Sequence, residues 1–128
     1  MLIDDFVSAA AGGSPVELPL FWWQGWSSRY YVTSILPLSR LDCREPGTFV
    51  LVRREDDGTR TPLLTGQARS ISDDLFDLYG DRYLRAIAAG ANEIHVNLVA
   101  GSEREAADVA ADIAEGWGVG AVMAPVPA

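Results

Sequence analysis

Two short segments, Gly47-Thr48-Phe49 and Leu64-Thr65-Gly66-Gln67, bracket an Asp57-Gly58 turn and constrain this chain more than any other feature. Asp-Gly between two β-prone runs is a hairpin signal, because the turn needs a backbone conformation that glycine adopts without steric cost. The flanking runs, about Thr48 to Arg54 and Arg60 to Thr65, are therefore expected to pair antiparallel. Pro62 donates no ladder hydrogen bond, so it marks an edge or a bulge. Glycines in the two bracketing segments permit a close backbone approach or unusual backbone angles.

The rest of the chain supplies partners for this hairpin. Residues 2 to 11 place Leu2, Ile3, Phe6, Val7 and Ala10 at helical spacing before Gly12-Gly13. Residues 14 to 28 show neither a period of 2 nor one of 3.6, and read as an irregular, aromatic-rich segment. Arg29 to Leu36, with Tyr30, Tyr31, Val32, Thr33 and Ile35, has strand character and is closed by Pro37. Ser72-Asp73-Asp74 is a helix start, with a second helical piece over about Asp81 to Ala89 between Gly80 and Gly90. Residues 92 to 99 set Ile94, Val96 and Leu98 against Glu93, His95 and Asn97, the pattern of a half-buried strand with one polar face. Ser102 with Glu105 forms a capping box for a helix reaching about Glu115, where glycines end it.

The expected fold is α+β, with a small, mainly antiparallel sheet of three or four strands flanked by helices. One domain spans 1–128, divided into an N-terminal helix and irregular segment (1–28), a core (29–117) and a C-terminal tail (118–128). At 128 residues the chain can bury a core without disulfides, and Cys43 is its single cysteine. One cysteine and one histidine cannot build a zinc site of those residues. Acids follow Met1 where a signal peptide carries positive charge, and no apolar run approaches the roughly 18 residues of a membrane span. A cytoplasmic protein without membrane contact is the expectation.

The net charge of -8 repels a phosphate backbone and argues against nucleic acid as a partner. Arg53, Arg54 and Arg60 could converge across the turn, although a solvated hairpin tip is the plainer reading. Trp22, Trp23 and Trp26, with Tyr30 and Tyr31, form the densest aromatic run. They serve either as a lid over the core or as a surface that binds a partner.

The order of strand, Asp-Gly turn, strand ending in Gly-Gln, helices, strand and capped helix resembles the GIY-YIG nuclease superfamily over about residues 29 to 117. The run Ala89-Gly90-Ala91 into Ile94-His95-Val96 adds to that resemblance. In such a nuclease a tyrosine lies near the attacking water, an arginine faces the phosphate and a glutamate holds a divalent cation. The matching positions here are Phe49 and Leu64 for the signature tyrosines, Asp74 for the arginine and Ala110 for the glutamate. Phe49 has no hydroxyl, Leu64 and Ala110 have no polar group, and Asp74 reverses the needed charge. Shifting the helices to use Arg69 and Asp112 would leave Phe49 and Leu64 unrepaired. The resemblance therefore implies an inactive domain with no cofactor and no metal, acting through its surface on a protein partner or its own copy. A divergent metal-dependent endonuclease and an acidic nucleic-acid mimic are the alternatives.

Other candidate chemistry is thin. Asp73, Asp74, Asp77 and Asp81 share helix faces but lack calcium-loop spacing, and early acids suit a helix start. His95 has no second histidine beside it and reads as a surface or hydrogen-bonded residue. Cys43 beside Arg44 could carry a lowered thiol pKa, against the plainer reading of an unreactive loop thiol. Ser27, Ser28 and Ser34 lie in no nucleophile motif, and no phosphate loop or dinucleotide fingerprint is present.

Overall fold

The Asp57-Gly58 turn does join two paired strands. In this computed structural model, which describes residues 18–123, β3 (Gly47–Arg54) and β4 (Arg60–Ala68) run antiparallel across it. Gly58 sits at φ +92°, where a side chain would be strained. The register slips between Leu51↔Leu64 and Val52↔Pro62, leaving Leu63 as an extra residue. That bulge absorbs Pro62, as its missing amide hydrogen requires.

Four more strands extend this pair: β5 (Glu93–Asn97), β2 (Tyr30–Pro37), β1 (Leu20–Gln24) and β6 (Gly120–Val122). The sheet order is β1-β2-β5-β3-β4-β6, antiparallel throughout except for the parallel pair β4 and β6. The fold is thus α+β with a mostly antiparallel sheet, as expected, but among the described residues the sheet has six strands rather than three or four. The two additions explain the difference. β1 lies inside the segment read as irregular, because apolar residues occupy both of its faces and erase the period of 2. β6 lies in the expected tail, and three residues carry too little pattern to register.

The sheet separates two cores. On one face Leu36, Phe49, Leu51, Leu64, Ile94 and Val96 pack with Leu75 of α1 (Ile71–Asp77), Tyr83 of α2 (Gly80–Ala88) and Tyr79 between the two helices. On the other, Val50 and Val52 pack with Trp23 and with Ile113 of α3 (Glu103–Trp117). Thr48 secures that helix by donating from Oγ1 to the Ala106 carbonyl at 2.8 Å. β5 is consequently covered on both faces, so the half-buried, polar-faced strand expected over 92 to 99 is corrected: His95 is fully buried and Asn97 nearly so.

Local helix signals hold with adjustments. Ser102 caps α3 by accepting the Glu105 amide, and Gly118 ends the helix at φ +67°. Ser70, rather than Ser72, occupies the cap position of α1. Ser72 instead accepts the Cys43 amide at 2.6 Å, which ties α1 to the loop before β3. Gly90, at φ +101°, follows α2 as expected. The expected helix over 2–11 lies outside the described residues. No helix among the described residues is long and apolar enough to cross a membrane.

Of the close approach and the unusual backbone angles open to the bracketing glycines, Gly66 shows the close approach. A Cβ there would stand 2.6 Å from Phe49 Cζ and 2.7 Å from the Val122 carbonyl oxygen. Backbone cannot yield cheaply, so Gly66→Ala should lower the unfolding free energy by about 1–3 kcal/mol in urea titrations. Gly80→Ala, with nothing within 4 Å of its Cβ, should be neutral or slightly stabilising in the same assay.

Candidate functional site

The β1–β2 hairpin divides its aromatic residues between the two sides of the sheet. Strand alternation turns Phe21 and Trp23 toward the α3 side, and Leu20 and Trp22 toward the other. Trp23 is 0% exposed, while Trp22, Tyr30 and Trp26 are 58%, 60% and 73% exposed. Trp22 stands directly across from Val32, on the face that carries Leu36 into the α1/α2 core further along β2. Trp26 lies in the turn. The five residues considered together from sequence therefore separate: Trp22, Tyr30 and Trp26 are displayed, whereas Trp23 is core and Tyr31 is half-buried and engaged. Trp23 is excluded from any binding surface because its indole is needed inside.

That indole donates from Nε1 to Nδ1 of His95 at 2.9 Å, and His95 Nε2 lies 3.0 Å from Glu93 Oε1. Arg60 closes the chain with Nε 2.9 Å from the same carboxylate and its guanidinium 5.4 Å from the Phe21 ring centre. An indole N–H can only donate, so Nδ1 holds the lone pair and Nε2 carries the proton given to Glu93. Burial lowers the His95 pKa and outweighs the opposing pull of Glu93, fixing one neutral tautomer. Burial also acts to raise the Glu93 pKa, but the bonds from Arg60 and His95 prevail and hold it low. With both ring nitrogens engaged, His95 offers no lone pair to a metal or a substrate. Its expected place on an exposed polar face is corrected, while its hydrogen bonding is as expected.

The turn of the hairpin is clamped to α3. Asp112 accepts the Ser27 amide at 2.9 Å, the Ser27 hydroxyl at 2.5 Å and the Tyr31 hydroxyl at 2.7 Å. Trp26 donates its amide to the Asp112 carbonyl at 2.9 Å, and Trp117 gives its indole N–H to the Gln24 carbonyl at 3.1 Å. Two glycines permit the contact. A Cβ on Gly116 would be 2.8 Å from the Trp26 nitrogen, and one on Gly25 would collide with the Asp112 carboxylate. Burial pushes the Asp112 carboxyl up, yet the bonds from Ser27 and Tyr31 bring it below the ordinary range. The clamp was not visible in sequence, since Ser27 and Asp112 are 85 positions apart.

The positions matched to the nuclease motifs do not enclose one cleft. Phe49 and Leu64 are buried in the α1/α2 core, and Ala110 is buried on α3 across the sheet. Asp74 accepts the Arg69 amide at 2.8 Å at the start of α1. Arg69 pairs with Glu103 at 2.8 Å, and Asp112 is held in the clamp. Of the three arginines of the β3–β4 hairpin, Arg54 stands directly across from Arg60, while Arg60 pairs with Glu93 and Arg53 with Glu55. Cys43 is fully buried, and desolvation pushes its thiol up to about 11, contrary to the lowering that Arg44 could bring. Among the described residues no group of three histidine, cysteine or acidic side chains could hold a metal ion.

A cleft of ≈ 380 Å³ opens where α3 begins, lined by small residues including Gly47, Ala68 and Ala106. Its two carboxylates are Glu45 and Glu103, the second already paired to Arg69. No model of a protein family matches the chain, and neither a curated protein nor a solved structure is significantly similar to it. The displayed hairpin is therefore the candidate site on its own geometry.

Two measurements check this account. The unfolded His95 takes up a proton near pH 6.5 and the folded one only at lower pH, so stability should decline as pH falls below that value. His95→Gln should flatten this slope in urea titrations between neutral and mildly acid pH, while lowering stability at neutral pH by about 1–3 kcal/mol. Asp112→Ala should cost about 1–3 kcal/mol and speed amide exchange at Trp26 and Ser27, with Asp112→Asn milder because one acceptor oxygen survives.

Proposed function

We propose that this chain is a protein-interaction or self-association module without catalytic chemistry, working through the hairpin surface that displays Trp22, Tyr30 and Trp26. The observation that carries the reading is the division of the aromatic run into anchored and displayed members. Trp23 holds β1 to the core and Asp112 holds the turn to α3. The exposed rings thus stand on a rigid frame and lose little entropy on binding. Tryptophan and tyrosine in such positions are the residue types that dominate interface energies.

The nuclease resemblance enters this reading only as ancestry. Phe49, Leu64 and Ala110 supply packing. The strongly acidic composition further disfavours a nucleic-acid substrate.

The test combines fluorescence with association. Acrylamide should quench a solvent-accessible tryptophan population that shrinks in Trp22→Ala/Trp26→Ala to the contribution of the half-exposed Trp117. Trp22→Ala/Tyr30→Ala should remain folded and weaken association about 30-fold or more, taking at least 2 kcal/mol for the pair. A monomer that retrieves no partner and whose tryptophans are blue-shifted and protected would replace this reading with the core lid. Chelator-sensitive plasmid nicking that survives further purification would replace it with a nuclease.

A further inference from the structure

The hairpin ladder determines which main-chain groups of β1 are free. Ile35 donates its amide to the Pro19 carbonyl, and Gly25 donates to the Arg29 carbonyl, both at 2.9 Å. Bonded pairs alternate along an antiparallel ladder, so Pro19, Phe21, Trp23 and Gly25 turn their main-chain groups toward β2. Leu18, Leu20, Trp22 and Gln24 then turn theirs away from it. Among the described strands, β1 is terminal in the sheet, so no neighbouring strand meets those groups. The Trp117 indole already occupies the Gln24 carbonyl. What remains is the window Leu18, Leu20 and Trp22.

This window is symmetric about Leu20, uncharged, and free of outward devices that protect sheet edges. Pro19, the residue that would obstruct pairing, directs its missing amide toward β2. Deepening the interaction reading on which it rests, we propose that this edge pairs antiparallel with the same edge of a second copy of the chain. The two-fold axis passes at Leu20, so that Leu20 faces its own counterpart and Leu18 faces the second copy's Trp22. Leu18, Leu20 and Trp22 of each copy then lie on one sheet face and continue the apolar surface across the joint. The two-fold arrangement closes on itself, whereas joining β1 to the three-residue β6 of another copy would be head-to-tail. Each copy carries a charge of -8, so added salt strengthens this association; binding of a basic partner would weaken instead.

Sedimentation of the whole chain over a concentration series, at low and high salt, tests the proposal together with three variants. The wild type is expected to form a dimer that tightens with salt. Leu20→Pro removes an outward amide that β2 does not use, and should raise the dimer dissociation constant about tenfold or more with the fold intact by circular dichroism. If that variant fails to fold, Leu20→Lys, which sets like charges against each other at the axis, should do the same. Leu20→Cys should form a covalent dimer under mild oxidation, since facing Cα atoms about 5.5 Å apart are within disulfide reach. Tyr30→Cys, one strand further in, should not, and the buried Cys43 stays silent. A wild type that is monomeric throughout overturns the edge pairing; loss of a heterologous partner on Trp22→Ala/Tyr30→Ala would then leave the interaction reading standing. A dimer that persists in Leu20→Pro or Leu20→Lys, with Leu20→Cys uncrosslinked, also overturns it and moves association to another surface.

Discussion

The bond from Trp23 Nε1 to His95 Nδ1 decides more of this structure than any other single contact. It spans from the outermost strand, past β2, to β5 near the middle of the sheet. Because a strand alternates its faces, committing Trp23 to the interior commits Trp22 to the opposite side. A one-residue slip of β1 would turn Trp23 to the opposite face and take its indole away from His95. An interior hydrogen bond thereby selects which aromatic residues the exterior shows. The same bond fixes the histidine tautomer, and the tautomer fixes the direction of the Glu93 contact.

The clamp at Asp112 solves a different problem. A hairpin at a sheet edge has few neighbours, and an isolated two-stranded hairpin is marginal in water. Here the turn is pulled onto α3 by three donors converging on one carboxylate. Hydrogen bonds to a charged acceptor are stronger than neutral ones, and the clamp carboxylate is ionised at neutral pH. Glycine at positions 25 and 116 removes the side chains that would hold helix and turn apart. Surface ion pairs such as Arg53 with Glu55 add little by comparison, being half exposed and screened by salt.

Much of the fold was legible because local chemistry specified it. Asp57-Gly58, the Pro62 bulge, the Ser102 cap and the stop at Gly90 each follow from what one residue permits its own backbone. Strand β1 was hidden because Leu20, Phe21, Trp22 and Trp23 are apolar on both faces, and periodicity needs contrast. His95 was misplaced because alternation reports polarity, not exposure. A polar face can be buried when every group on it finds a partner, and those partners lie far away in the chain. The site was legible as composition: the aromatic run was visible, but its division into anchors and displayed rings depends on Asp112 and His95.

The strand order also governs how such a chain must come together. The β1–β2 and β3–β4 hairpins form from nearby residues, yet they are not neighbours; β5 lies between them. During synthesis both hairpins can emerge before residue 93, each offering its inner edge to water. β5 is the wedge that joins them, and until it inserts neither core has a complete floor. A chain interrupted before Asn97 would carry two unjoined hairpins with apolar edges, a species made for aggregation rather than for partial function. The single sheet is consequently complete only when β5 stands between the two hairpins.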